Sequence, residues 1–192
     1  MTYKTEVQTM YKKIAQQMRI QAPPIKIGGG NDKLNATAGF KKIKMTKGLA
    51  KLVNEEPKLV ESLIAHELTH YKNRDPQTKF KNLYRSFAKK FYAYNLMFEL
   101  RASIGGYTYS GMKTESDIWE IEMKFKDPKY HDKNRSAYLV GYPTSKQIAF
   151  FASRNDKLTE EIAKEILEDY CNVLNIKNRE NFIIDVLKVA KV

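Results

Sequence analysis

Two histidines four residues apart, with a glutamate directly after the first, form the stretch His66-Glu67-Leu68-Thr69-His70, an H-E-x-x-H sequence. On a helix, positions i and i+4 share a face, so both imidazoles reach one metal ion. Neutral imidazole suits Zn2+, and a carboxylate is the right base for a water whose pKa the metal has lowered to about 7. The pattern therefore points to metal-assisted hydrolysis, with His66 and His70 as ligands and Glu67 as the base. The chain holds only three histidines, and this spacing uses two of them.

That chemistry needs a half-buried helix. Leu59, Val60, Leu63, Ile64 and Leu68 recur at helical spacing around the motif, which argues against a surface helix with two incidental histidines. Pro57 suits a first helical turn, and Glu55-Glu56 favour the positive end of the helix dipole. Asn73-Arg74-Asp75-Pro76 ends the helix, predicted over 57–72.

A zinc site also needs a third protein ligand. Cys171, the only cysteine, lies far downstream in an amphipathic stretch. No third histidine follows at short spacing, because Asn73 and Pro76 occupy the relevant places. Glutamate on a second helix remains, with Glu99, Glu115, Glu120 and Glu122 as candidates. Glu99 is the choice: it stands in the almost uncharged stretch Phe91–Leu100, where a lone carboxylate needs a partner. The competing reading puts Glu99 on the solvent face of its helix.

The chain has 192 residues and 42% hydrophobic content, enough for one globular domain with a real core. We expect a single unit, with a core over about 1–153 and a helical extension over about 154–192. No window carries 18 uninterrupted apolar residues, no signal-peptide core opens the chain, and one cysteine excludes an internal disulfide framework. The expectation is a soluble, cytoplasmic protein without membrane insertion. The net charge of +12 raises nucleic-acid binding as an alternative. The positive residues are nevertheless spread along the chain without an arginine-rich block or a nucleic-acid module, so nucleic acid is not the expected partner.

Helical periodicity covers 2–21, and Pro23-Pro24 closes it. Short strands are predicted at Ile25–Ile27, Leu34–Phe40 and Lys42–Met45. A long helix is predicted over 78–104, ended by Gly105-Gly106, followed by a basic loop through His131. Three helices then follow over 145–152, 159–174 and 178–191.

From about Asn35 to Asp75 the chain resembles the gluzincin metallopeptidases that include the HtpX-type heat-shock protease and the CAAX prenyl proteases, and their short soluble relatives, the minigluzincins. The matching residues are Asn35-Ala36, Ile43-Lys44-Met45-Thr46-Lys47-Gly48-Leu49, Ala65–His70 and Lys72-Asn73-Arg74-Asp75. The resemblance implies an α+β, mainly helical zincin-like metallopeptidase fold with a small N-terminal sheet and an active-site helix. It also implies that backbone near Asn35 and Ala36 binds an extended peptide by strand addition. The family's third ligand lies in Glu-x-x-Ala-Asp, here Glu99-Leu100-Arg101-Ala102-Ser103, with Ser103 where an aspartate would orient a ligand histidine. Where the family often has His-Pro, this chain has Tyr142-Pro143. Tyr142 is then the expected oxyanion donor, with His131, read as lying in an exposed loop, as its substitute.

The resulting expectation is a zinc endopeptidase, either active or a latent zymogen, with one Zn2+ on His66, His70 and Glu99, Glu67 as base, and peptide or protein substrates. The rival is a non-catalytic basic interaction protein, able to bind nucleic acid, with a structural or vestigial zinc site. The C-terminal helices either cover the cleft or complete the core.

Overall fold

The computed structural model describes residues 2–30, 33–83 and 88–192. Helix α1 (Tyr3–Gln17) buries Val7, Tyr11, Ile14 and Ala15 along one stripe. Proline cannot continue a helix, and after Pro23-Pro24 the chain extends into β1 (Ile25–Ile27), β2 (Ala36–Ala38) and β3 (Ile43–Met45). The sheet order is β1-β3-β2. β1 runs parallel to β3 with Ile25 beside Ile43, and β2 runs antiparallel with Ala36 beside Met45. Ile43 and Met45 are buried while Lys44 points outward, the alternation of a strand with one covered face. Thr46 then caps the short helix α2 (Lys47–Lys51) by accepting from the Leu49 N–H.

Helix α3 (Pro57–Lys72) starts with proline in its first turn and carries the H-E-x-x-H residues. It separates two apolar clusters. Val60, Ile64, Ala65 and Leu68 pack with α1, α2 and the sheet. Leu59 joins the other cluster, which is built around the long helix α5 (Ala88–Ser110). Buried residues surround α5 on every side, so it is the central helix of that second cluster.

The helix predicted over 78–104 is divided and extended. Helix α4 covers Asp75–Asn82 and α5 covers Ala88–Ser110, and the segment 84–87 of the predicted helix lies outside the described residues. Gly105 and Gly106 do not end α5; they let it cross α3 at close range. A Cβ on Gly106 would lie 2.8 Å from the Ser62 carbonyl oxygen and 3.2 Å from the His66 Cβ, and one on Gly105 would lie 2.5 Å from the Thr69 hydroxyl. Gly106→Ala is therefore expected to lower stability by about 1–3 kcal/mol, the usual cost of overpacking, despite alanine's better helix propensity. A melting temperature at or above the parent's would show that the crossing can relax.

Beyond α5 the expected basic loop contains a helix, α6 (Glu115–Phe125), with Ile118 and Ile121 buried and Thr114 accepting from the Asp117 N–H. A 3-10 turn (Pro128–Tyr130) and α7 (Asn134–Tyr138) follow. Helices α8 (Ser145–Arg154), α9 (Glu160–Val173) and α10 (Arg179–Ala190) lie close to their predicted ranges. Ile162, Ile166, Leu167, Tyr170, Leu174, Val186 and Leu187 pack into the α5 cluster, so these helices complete a core. The architecture is α+β and mainly helical with a three-stranded N-terminal sheet, as expected. Among the described residues no helix is long and apolar enough to cross a membrane.

Candidate metal centre and cleft

One turn of α3 places the two imidazoles edge to face, with Nε2 atoms 3.1 Å apart. The Glu99 Oε2 approaches from α5, 3.4 Å from His66 Nε2 and 3.5 Å from His70 Nε2. One ligand atom from each of His66, His70 and Glu99 lies within 4.8 Å of the others. Two imidazoles and one carboxylate are a donor set that fits Zn2+ with a fourth position left for water. Glu99 is 6% exposed, so the solvent-face reading of this residue is wrong. Glu115 and Glu120 lie on α6 and are exposed; Glu122 is buried but is not in the metal-binding group.

The second oxygen of Glu99 is also held, since Lys79 on α4 donates to Oε1 at 3.0 Å. This leaves Oε2 alone to face the histidines. Burial opposes charge on His70, but Glu99 and Asp75 outweigh it and push its pKa up to about 9. Burial likewise disfavours charge on Glu99, yet His70, His66 and Lys79 hold its carboxyl well below the usual range.

The partner that orients His70 is Asp75, not Ser103. Arg74 takes the left-handed conformation with φ 58°, and this tight reversal brings Asp75 back against the end of α3. The His70 Nδ1 lies 2.9 Å from Asp75 Oδ2, and Asp75 is 1% exposed. Arg101 donates to Asp75 Oδ1 with one nitrogen and to the Ala190 carbonyl, at 2.6 Å, with the other. The end of α10 thus braces a metal-ligand imidazole through two side chains. Asp75→Ala is expected to weaken zinc binding by about 10–100-fold, the usual effect of removing such a partner. Arg101→Met should have a smaller effect in the same direction. Competition titration with a chromogenic chelator measures both, and parental affinity for Asp75→Ala would contradict the role. Ser103 is 5% exposed and lines an inner cavity of the cleft instead.

Glu67 projects beside the triad and is 8% exposed. Its Oε2 accepts the Ala38 backbone N–H of β2, which fixes the carboxylate without making it a ligand. β2 is the edge strand bordering the cleft. Asn35 exchanges backbone hydrogen bonds with Thr46, and Gly39 donates to Lys42, so alternation turns the backbone of Ala36 and Ala38 to the open edge. Asn35 and Ala36 both line the cleft, but the main chain of Asn35 is committed to the sheet.

Tyr142 lines both cavities of the cleft together with Glu67 and Glu99. The Glu99 charge, then burial, then the Glu67 charge hold its phenol well above the usual range, so it stays a hydrogen-bond donor. Gly141 positions it, with φ 74° and no room for a Cβ, which would meet the Tyr92 carbonyl at 2.8 Å. Asn95 donates to the Gly141 carbonyl at 2.8 Å. His131, expected in an exposed loop, is buried against Trp119, its Nε2 3.0 Å from the Lys126 carbonyl. It does not line either cavity that holds the triad.

Asn95, Glu99, Ser103 and Tyr107 are spaced by four and form one stripe of α5 facing this cleft. Asp75 and Arg101 are the contributors that sequence reasoning missed; Asp75 stood in the quoted motif, but only its position beneath His70 gives it a role.

No curated protein and no solved structure matches the chain significantly. The model of peptidase family M48 matches residues 2–123, from α1 through α6. Because that match takes in the sheet, both histidines and Glu99, and covers more than half of the sequence, the chain belongs to peptidase family M48.

Proposed function

We propose that the chain is a zinc-dependent endopeptidase of gluzincin type, acting as one metallopeptidase domain. The observation that carries this reading is the convergence of His66, His70 and Glu99 beside a separate, buried Glu67 at the edge of an open strand. The triad would hold one Zn2+, which when bound acidifies water to near neutral pKa and polarises a carbonyl. Glu67 would take the proton from the attacking water and deliver it to the leaving amine. The outward backbone of Ala36, with Asn35 alongside, would hold an extended peptide by strand addition. Tyr142 would donate to the carbonyl oxygen as negative charge develops there.

The lining of the cleft includes no residue beyond Tyr142, which favours a core-completing role for the C-terminal helices over a latency device. The cytoplasmic setting is proposed on the single cysteine alone.

The test is Tyr142→Phe, which keeps the ring and deletes only the donor. It should lower kcat by about 10²-fold with zinc content unchanged, the usual cost of one oxyanion donor. Equal kcat would assign the oxyanion to another group.

A further inference from the structure

We propose that Glu122 makes the inner cavity beside the metal centre a subsite for a substrate side chain ending in N–H donors, arginine or lysine. The proposal rests on the peptidase reading, because the guest is a residue flanking the scissile bond. The cavity has a volume of about 250 Å³ and is continuous with the site, since His66, Glu67, Glu99 and Tyr142 also line it. Leu34 and Leu63 give it an apolar wall, and Glu122 and Lys126 contribute from α6 and its end.

Glu122 is 7% exposed, and its two oxygens differ. Oε1 accepts the Tyr107 hydroxyl at 2.7 Å. Oε2 has no hydrogen-bond donor. The Lys126 ammonium lies 3.1 Å from Oε2, close enough to offset its charge but outside hydrogen-bonding alignment. Lys126 directs its hydrogen bond to the Pro143 carbonyl instead, at 3.1 Å.

A buried carboxylate oxygen without a donor is costly, and a leucine at this position would avoid the cost. The unmet acceptor faces a cavity that adjoins the proposed reaction centre, so a guest can supply the missing donor. Leu34 and Leu63 suit the aliphatic stem of lysine or arginine, and charge-assisted hydrogen bonds favour a cationic head over a neutral amide. An acidic guest side chain would meet Glu122 unfavourably. Lys126 has a partly exposed side chain at the end of α6, and its stem leaves the ammonium room to move toward solvent as a cationic guest enters.

The experiment compares arginine hydroxamate with norleucine hydroxamate on the zinc-loaded protein by calorimetry. Peptides carrying arginine, lysine, leucine or glutamate on either side of the cleaved bond are assayed in parallel. Arginine hydroxamate should bind about tenfold or more tightly than norleucine hydroxamate, as expected for a charged hydrogen bond. Glu122→Gln keeps the shape and the Tyr107 acceptor, and should remove most of that ratio with zinc content unchanged. A ratio near one in the parent, or an unchanged ratio in Glu122→Gln, would overturn the proposal. Discrimination between hydroxamates with no hydrolysis of any peptide would contradict the peptidase reading and uphold the subsite. Hydrolysis without discrimination would do the reverse.

Discussion

Glu67→Gln is expected to keep its zinc and to lose peptide hydrolysis by about 10²- to 10⁴-fold, the range of general-base catalysis. Zinc should stay because the three converging ligand atoms belong to His66, His70 and Glu99. The fold should stay because glutamine is isosteric and its amide oxygen can still accept the Ala38 N–H that Glu67 accepts. What disappears is a base able to take a proton from water and release it to an amine. Zinc analysis alongside a casein cleavage assay reads both halves. Near-parental cleavage by Glu67→Gln would remove Glu67 from the chemistry.

Stripping zinc is expected to lower the melting temperature, because the ion would join α3 to α5 through three largely buried side chains. By mass action, zinc at a thousandfold excess over its Kd contributes about 4 kcal/mol. The stripped protein should also show its own pH dependence. With protein groups alone around it, His70 has a pKa of about 9, above its ordinary 6.5, because Glu99 and Asp75 outweigh burial. A raised folded-state pKa gives stability that is fully present below about pH 6.5 and is lost as pH rises through about 9. The stripped protein should therefore melt lower at pH 9 than at pH 6.5. Zinc replaces that proton, so binding at pH 7.5 should release it, as the buffer dependence of the calorimetric enthalpy would report. A melting temperature indifferent to zinc would contradict the staple, and one that rises between pH 6.5 and 9 after stripping would contradict the His70 assignment.

What could be read from the sequence was what short-range chemistry dictates. The histidine spacing, the base beside it and the helix that carries them are local, and α3 has the predicted limits. Glu99 was legible because a lone carboxylate in an apolar run needs a partner. The errors came where tertiary contact overrides local preference. Gly105-Gly106 reads as a helix end by propensity, yet serves a helix crossing whose partner lies some forty residues earlier. The α6 stretch and His131 were read as loop because charge around them hid a buried face formed by Ile118, Ile121 and His131. Asp75 was visible as a motif letter, but its bond to His70 depends on a reversal at Arg74. The brace from Arg101 to the Ala190 carbonyl spans 89 residues, beyond any local pattern.

The most direct test of the account is a zinc add-back series on the parent protein, following cleavage of casein and short peptides after complete chelation. Cleavage should vanish on stripping and return in proportion to zinc, reaching its plateau at one ion per chain. Cleavage that survives full removal of zinc, or a chain loaded with one zinc ion that hydrolyses none of these substrates, would contradict it.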